Sequence, residues 1–115
     1  MYEILNRLNK IEGVNGSLLI GKDGIVVAAD LGTETDENAV AAVGSQILSS
    51  LQGALNRMGM GDFRRFIITG SNGKVIMADA SSVLLILLLD LDTNIGLAGV
   101  EVRQAIAEIR EKIQM

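Results

Sequence analysis

The segment Gly70-Ser71-Asn72-Gly73-Lys74-Val75 ends in a Gly-Lys pair of the kind that closes a phosphate-binding loop. Such a loop wraps backbone N–H groups around a phosphate, lays the lysine on it and gives the metal to a following Ser or Thr. Here the glycine spacing ahead of the lysine is missing, Val75 stands where the hydroxyl is required, and a strand-like run follows. The segment reads as a hairpin turn.

Three further groups have suitable residue types. Gly59-Met60-Gly61 followed by Arg64-Arg65 resembles an anion site, but glycines so placed more often end a helix. Asp79, Asp90 and Asp92 offer hard oxygen ligands near strand ends, without the spacing of a calcium loop, and read as turn and capping residues. Arg57, Arg64 and Arg65 are candidates for an arginine finger directed at a GTP-hydrolysing partner.

The chain contains no histidine and no cysteine. This removes the usual general base near neutral pH, the triad base, the commonest zinc ligand, thiolate metal sites and disulfides. The expectation is a protein that is not an enzyme and has no cofactor and no metal. A net charge of −4 with interspersed signs disfavours nucleic acid, which needs a basic stripe, and an anionic membrane surface. The longest apolar run, Val83 to Leu89, is far shorter than the ~20 residues of a membrane span. The opening residues have charges every few positions, unlike a signal peptide, so a soluble, cytoplasmic protein is expected.

At 115 residues the chain fits a single domain, 1–115, with an aliphatic core, since Tyr2, Phe63 and Phe66 are its only aromatics. Helical spacing of Ile4, Leu5, Leu8 and Ile11 predicts a helix over Tyr2 to Glu12. Strands at Ser17 to Gly21 and Ile25 to Asp30 flank a Lys22-Asp23-Gly24 turn. A helix from Asp36 to Met58 follows, with acids in its first turn where the helix dipole favours them. Strands at Phe63 to Thr69 and Lys74 to Ala78 make a second hairpin around Asn72-Gly73, and Ser82 to Leu89 makes another strand. Thr93 or Asn94 caps a last helix, in which Val100, Val102, Ile106, Ile109 and Ile113 are expected to face inward. The order is α-β-β-α-β-β-β-α.

Val83-Leu84-Leu85-Ile86-Leu87-Leu88-Leu89 has no alternation, so both faces of this strand must be covered and it belongs in the middle of its sheet. The long helix is unusual in carrying no charge from Asn38 to Asn56. Val40, Val43, Ile47, Leu51, Ala54, Leu55 and Met58 share a side expected to pack on the sheet. The opposite side reads Asn38, Ala42, Ser45, Gln46, Ser49, Gly53 and Asn56, small or neutral where a solvated helix would carry Lys, Glu and Arg. Small side chains allow another backbone to approach closely. The preferred reading is an interface with a symmetric copy; the alternative is a merely polar surface.

The phrases Ile11-Glu12-Gly13-Val14-Asn15-Gly16-Ser17-Leu18-Leu19-Ile20 and Asp23-Gly24-Ile25-Val26-Val27-Ala28 resemble the opening hairpin of the roadblock (dynein light-chain-like) family. Arg65-Phe66-Ile67-Ile68-Thr69 and Leu84-Leu85-Ile86-Leu87-Leu88 resemble its later strands. The resemblance implies an α/β sandwich of profilin-like roadblock fold, with a five-stranded antiparallel sheet between helices. It also implies a homodimer joined through the long helix and the edge strand Asp62 to Thr69, adding Phe63, Arg65 and Ile67 to the interface. Bacterial and archaeal members commonly partner a Ras-like small GTPase, so the implied role is a non-catalytic GTPase regulator, or alternatively a structural adaptor indifferent to nucleotide state.

Overall fold

The computed structural model describes residues 1–113. Helix α1 spans Tyr2–Asn9, strands β1 and β2 span Val14–Gly21 and Val26–Asp30, and α2 spans Glu37–Met58. Strands β3 (Arg65–Thr69), β4 (Lys74–Ala80) and β5 (Val83–Leu89) precede α3 (Ile95–Ile113). The strands form one five-stranded sheet in the order β2-β1-β5-β4-β3, and every neighbouring pair is antiparallel.

β5 lies between β1 and β4, as its uninterrupted apolar run requires. Leu84, Ile86 and Leu88 face α2, whereas Val83, Leu85, Leu87 and Leu89 pack with residues of α1 and α3. Two cores therefore sit back to back across the sheet. β1 starts earlier than expected, because Val14 pairs with Leu89 and Ser17 is taken inside, its hydroxyl donating to Leu5 O at 3.4 Å.

α1 is shorter than its apolar spacing suggested. After Asn9 the chain tightens, with Lys10 N–H donating to Arg7 O and Ile11 N–H to Leu8 O, before Gly13 turns into β1. In the first hairpin Gly24 takes a φ of +89°, the left-handed conformation that Asp-Gly turns supply. The second hairpin closes differently. Gly73 does not take a positive φ; a Cβ there would sit 3.0 Å from Leu89 O, a tight contact that favours glycine for space rather than for conformation.

Two helix faces differ from the expected ones. On α2 the buried line is Ala41, Gly44 and Leu48, with Leu51 and Leu55 packed beside it, while Val43 is 53% exposed and Met58 also lies in solvent. The helix seats on the sheet through its smallest residues, which turns the larger β-branched ones onto its flank. On α3 the buried residues are Ala98, Val102, Ala105 and Ile109, and Val100 is exposed. Residues two apart point about 200° apart on a helix, so Val100 and Val102 cannot share a face. Asn94 supplies the cap, its Oδ1 accepting from Leu97 N at 3.2 Å, and Thr93 Oγ1 donates instead to Gly13 O.

At the end of the sheet where β4 turns into β5, Asp79 joins three elements. It pairs with Lys22 of the first hairpin turn at 2.8 Å and with Arg110 of α3 at 3.4 Å.

Candidate interaction site

The two sheet edges are not alike. On β2 the pairing steps from Leu19↔Ala28 to Ile20↔Val26, which leaves Val27 bulged and without a partner. Bulges of this kind discourage further strand addition. β3 pairs with β4 in unbroken register from Arg65↔Ala78 to Thr69↔Lys74, and its other side is open. Phe66, Ile67, Ile68 and Thr69 bring no charge, proline or bulge to that edge. A regular free edge whose one charge is Arg65 at its start is a template for another strand.

Beside this edge, the flank of α2 bearing Val40, Val43 and Ile47 stands over Ile68, Val75 and Leu88 of the sheet. Between them is an open apolar groove of about 310 Å³. On the other face of β3, Ile67 is 40% exposed. An apolar flank, an apolar groove and an open strand edge thus adjoin one another.

The second flank of α2 is polar. Ser45, Ser49, Gln52 and Asn56 border a cleft with Lys22, Asp62 and Asp79, of about 740 Å³. Ser45 donates its hydroxyl to Lys22 O at 3.1 Å, so this residue is tied to the first hairpin turn. Asn38, Ala42, Gln46, Ser49 and Asn56 are exposed, and a Cβ on Gly53 would meet nothing within 4 Å. These outward residues form a crest along α2 rather than the wall of the apolar groove.

Phe63 is placed inside the protein. It is 4% exposed, packed in the core beneath α2, and its N–H donates to Gln52 Oε1 at 2.9 Å. Its side chain is therefore not surface that a partner could touch. Arg65 is exposed on the strand edge, its guanidinium lying 3.8 Å from where a Cβ of Gly99 would be. Arg57 and Arg64 are exposed as well, Arg64 at the mouth of a small cleft with Asp79 and Arg110. Of the aspartates singled out in the sequence, Asp90 and Asp92 lie together at one end of the sheet and Asp79 at the other. Lys74 follows the hairpin and directs its ammonium to Thr93 O at 3.5 Å.

The apolar groove is what sequence reasoning missed. Its signal was present in Val40, Val43 and Ile47, which helical spacing put on one side; that side faces the β3 edge rather than the middle of the sheet.

Known proteins resemble this chain in sequence and in fold. The uncharacterized protein MJ1340 of Methanocaldococcus jannaschii is 35% identical over 107 residues, spanning 93% of this chain and 94% of that protein. The roadblock/LC7 domain from Streptomyces avermitilis superposes with a TM-score of 0.91 at 19% identity, over 100% of this chain and 98% of that one. Myxococcus xanthus MglB gives 0.91 at 20% identity, over 97% and 93%. At these identities the two structures speak to fold alone, which is the profilin-like roadblock arrangement that the sequence resemblance implied. Residues 1–90 match the Roadblock/LC7 domain. With strand order, hairpins and the long central helix all in agreement, the chain belongs to the Roadblock/LC7 domain family.

Proposed function

We propose that this protein is a non-catalytic, cytoplasmic regulator or docking platform for a Ras-like small GTPase, and that it acts as a homodimer. The observation that carries the reading is the open, regularly paired edge of β3, charged only at Arg65, beside the apolar groove under α2. Two copies related by a two-fold axis would pair their β3 strands, bringing Arg65 and Ile67 of each into contact and covering both grooves. Self-association of this kind buries surface that water otherwise wets at a cost of roughly 25 cal/mol per Å².

The small outer residues of α2, namely Asn38, Ala42, Gln46, Ser49, Gly53 and Asn56, then form close-approach surface for the second copy or for the GTPase. Their lack of charge supports this use, because a partner burying them strands no unpaired ion. Members of the family in bacteria and archaea commonly partner Ras-like GTPases, and the fold likeness to MglB is consistent with that role.

Capture experiments with Ras-like GTPases from the same genome, each loaded with GDP or a GTP analogue, test the reading. Preferential capture of one nucleotide state is expected. Equal capture in both states would make the protein a structural adaptor, and failure to capture any GTPase would overturn the GTPase reading while leaving the dimer to be judged by sedimentation.

A further inference from the structure

Leu97 is 68% exposed in the first turn of α3, and Val100, one turn on, is also in solvent. Leu97 forms a wall of an open groove of about 780 Å³ between the chain leaving α1 and the start of α3, with Ile11 and Ala98 further in. Glu12, Asp90 and Asp92 line the same groove. Asp90 accepts from Asn15 Nδ2 at 2.7 Å, and among the described residues none of the three carboxylates is in an ion pair. Lys74 also reaches this end of the sheet, its ammonium on Thr93 O at 3.5 Å, and the carboxylates there outnumber it.

We infer that this groove docks a basic amphipathic segment of a partner protein. An apolar side chain of the segment lies against Leu97 and Ile11, and lysines or arginines beside it meet Glu12, Asp90 and Asp92. Exposed leucine selects an apolar contact, and a rim with an excess of carboxylates selects the opposite sign and steers its approach. Nucleic acid would be repelled by the same carboxylates. A bare cation has little hold, because the three acids are not gathered into a metal-binding group. Two of the exposed arginines of this chain itself, Arg57 and Arg64, lie toward the end of the sheet where Asp79 sits, away from the groove. The groove shares no lining residue with the β3 edge or with α2. Its α3 wall also lies beyond residues 1–90, the part that matches the family. The inference does not rest on the GTPase reading.

The test is fluorescence anisotropy of a labelled amphipathic helix peptide built from Leu and Lys, added to the full chain. Saturable binding is expected, weakened about tenfold or more by Leu97→Asp and by Asp92→Lys, which corresponds to about 1.4 kcal/mol. A Leu–Glu peptide of the same pattern should not bind. Glu111→Lys, an exposed change of equal charge near the other end of α3, should leave the affinity unaltered. Equal weakening by Glu111→Lys would mean attraction to net charge alone and would overturn the inference. So would an unchanged affinity in a folded Leu97→Asp variant, or the absence of saturable binding. Self-association of the chain that Leu97→Asp abolishes would assign the groove to a second copy and overturn it equally.

Discussion

Gln52 Oε1 accepts the N–H of Phe63 at 2.9 Å, and through this bond α2 holds the start of β3. The amide's other end donates to Asn56 Oδ1 at 3.0 Å and to Gly61 O at 3.2 Å, so one side chain fixes the turn between helix and strand. Both elements of the proposed dimer face thus keep a set distance through a single residue. Gln52→Ala leaves the Phe63 N–H without its acceptor in a half-buried position. The expected cost is about 1–3 kcal/mol, read by urea denaturation of the dimer and of a monomeric variant. A dimer dissociation constant that rises as well would show that the bond also aligns the interface.

The β3 edge and the α2 flank should act together in self-association. Val43→Glu with Ile67→Lys places charges on two exposed residues that the single chain does not need for its own core. Circular dichroism should be unchanged while light scattering shows a monomer, because a buried charge without a partner is costly. An intact dimer of the double variant would remove this surface from consideration.

Gly44 marks the closest approach of α2 to the sheet. A Cβ there would lie 2.7 Å from Ile86 Cδ1 and 3.5 Å from Ile20 Cδ1. Ile86 Cδ1 is the end of a side chain with some freedom, and alanine gains up to about 1 kcal/mol of helix propensity over glycine. Gly44→Ala is therefore expected to be close to neutral. Gly44→Val adds branches that cannot be absorbed and should cost about 1–3 kcal/mol through overpacking. Chemical denaturation of the two variants side by side checks the ordering.

Much of this architecture could be read before any coordinates. The unbroken run Val83–Leu89 carried its own evidence of a central strand, and the Asp23-Gly24 and Asn72-Gly73 pairs located both hairpins. The seating of α2 was harder to read. Ranking residues by size turns Val43 and Met58 inward, yet a helix lies closest to a sheet where its residues are smallest, here Ala41 and Gly44. The resemblance puts Phe63 within the edge strand and so in the interface, but the strand begins only at Arg65 and Phe63 lies beneath α2. Its backbone is held by a bond to Gln52, eleven residues away, and its ring packs in the core under α2, relations that no local pattern reports. Helical spacing grouped Val40, Val43 and Ile47, but that this flank stands over Ile68 and Val75 follows from α2 seating through Gly44 on Ile86, a tertiary relation that spacing does not report.

The crest of α2 offers the sharpest separation between dimer and partner. Ser49 is exposed and Gly53 half-buried, and nothing lies within 4 Å of a Cβ built on Gly53, so a larger residue is accommodated in the single chain. Ser49→Glu with Gly53→Arg should therefore leave folding intact, and loss of a mid-helix glycine should raise the stability of a monomeric background by up to about 1 kcal/mol. If the crest contacts a second copy, this variant sediments as a monomer. If it contacts the GTPase, the variant remains dimeric but no longer captures its partner. A variant that both dimerises and captures the GTPase as well as the parent does would free the crest of either role, and the charge-free stretch from Asn38 to Asn56 would then be no more than a polar surface.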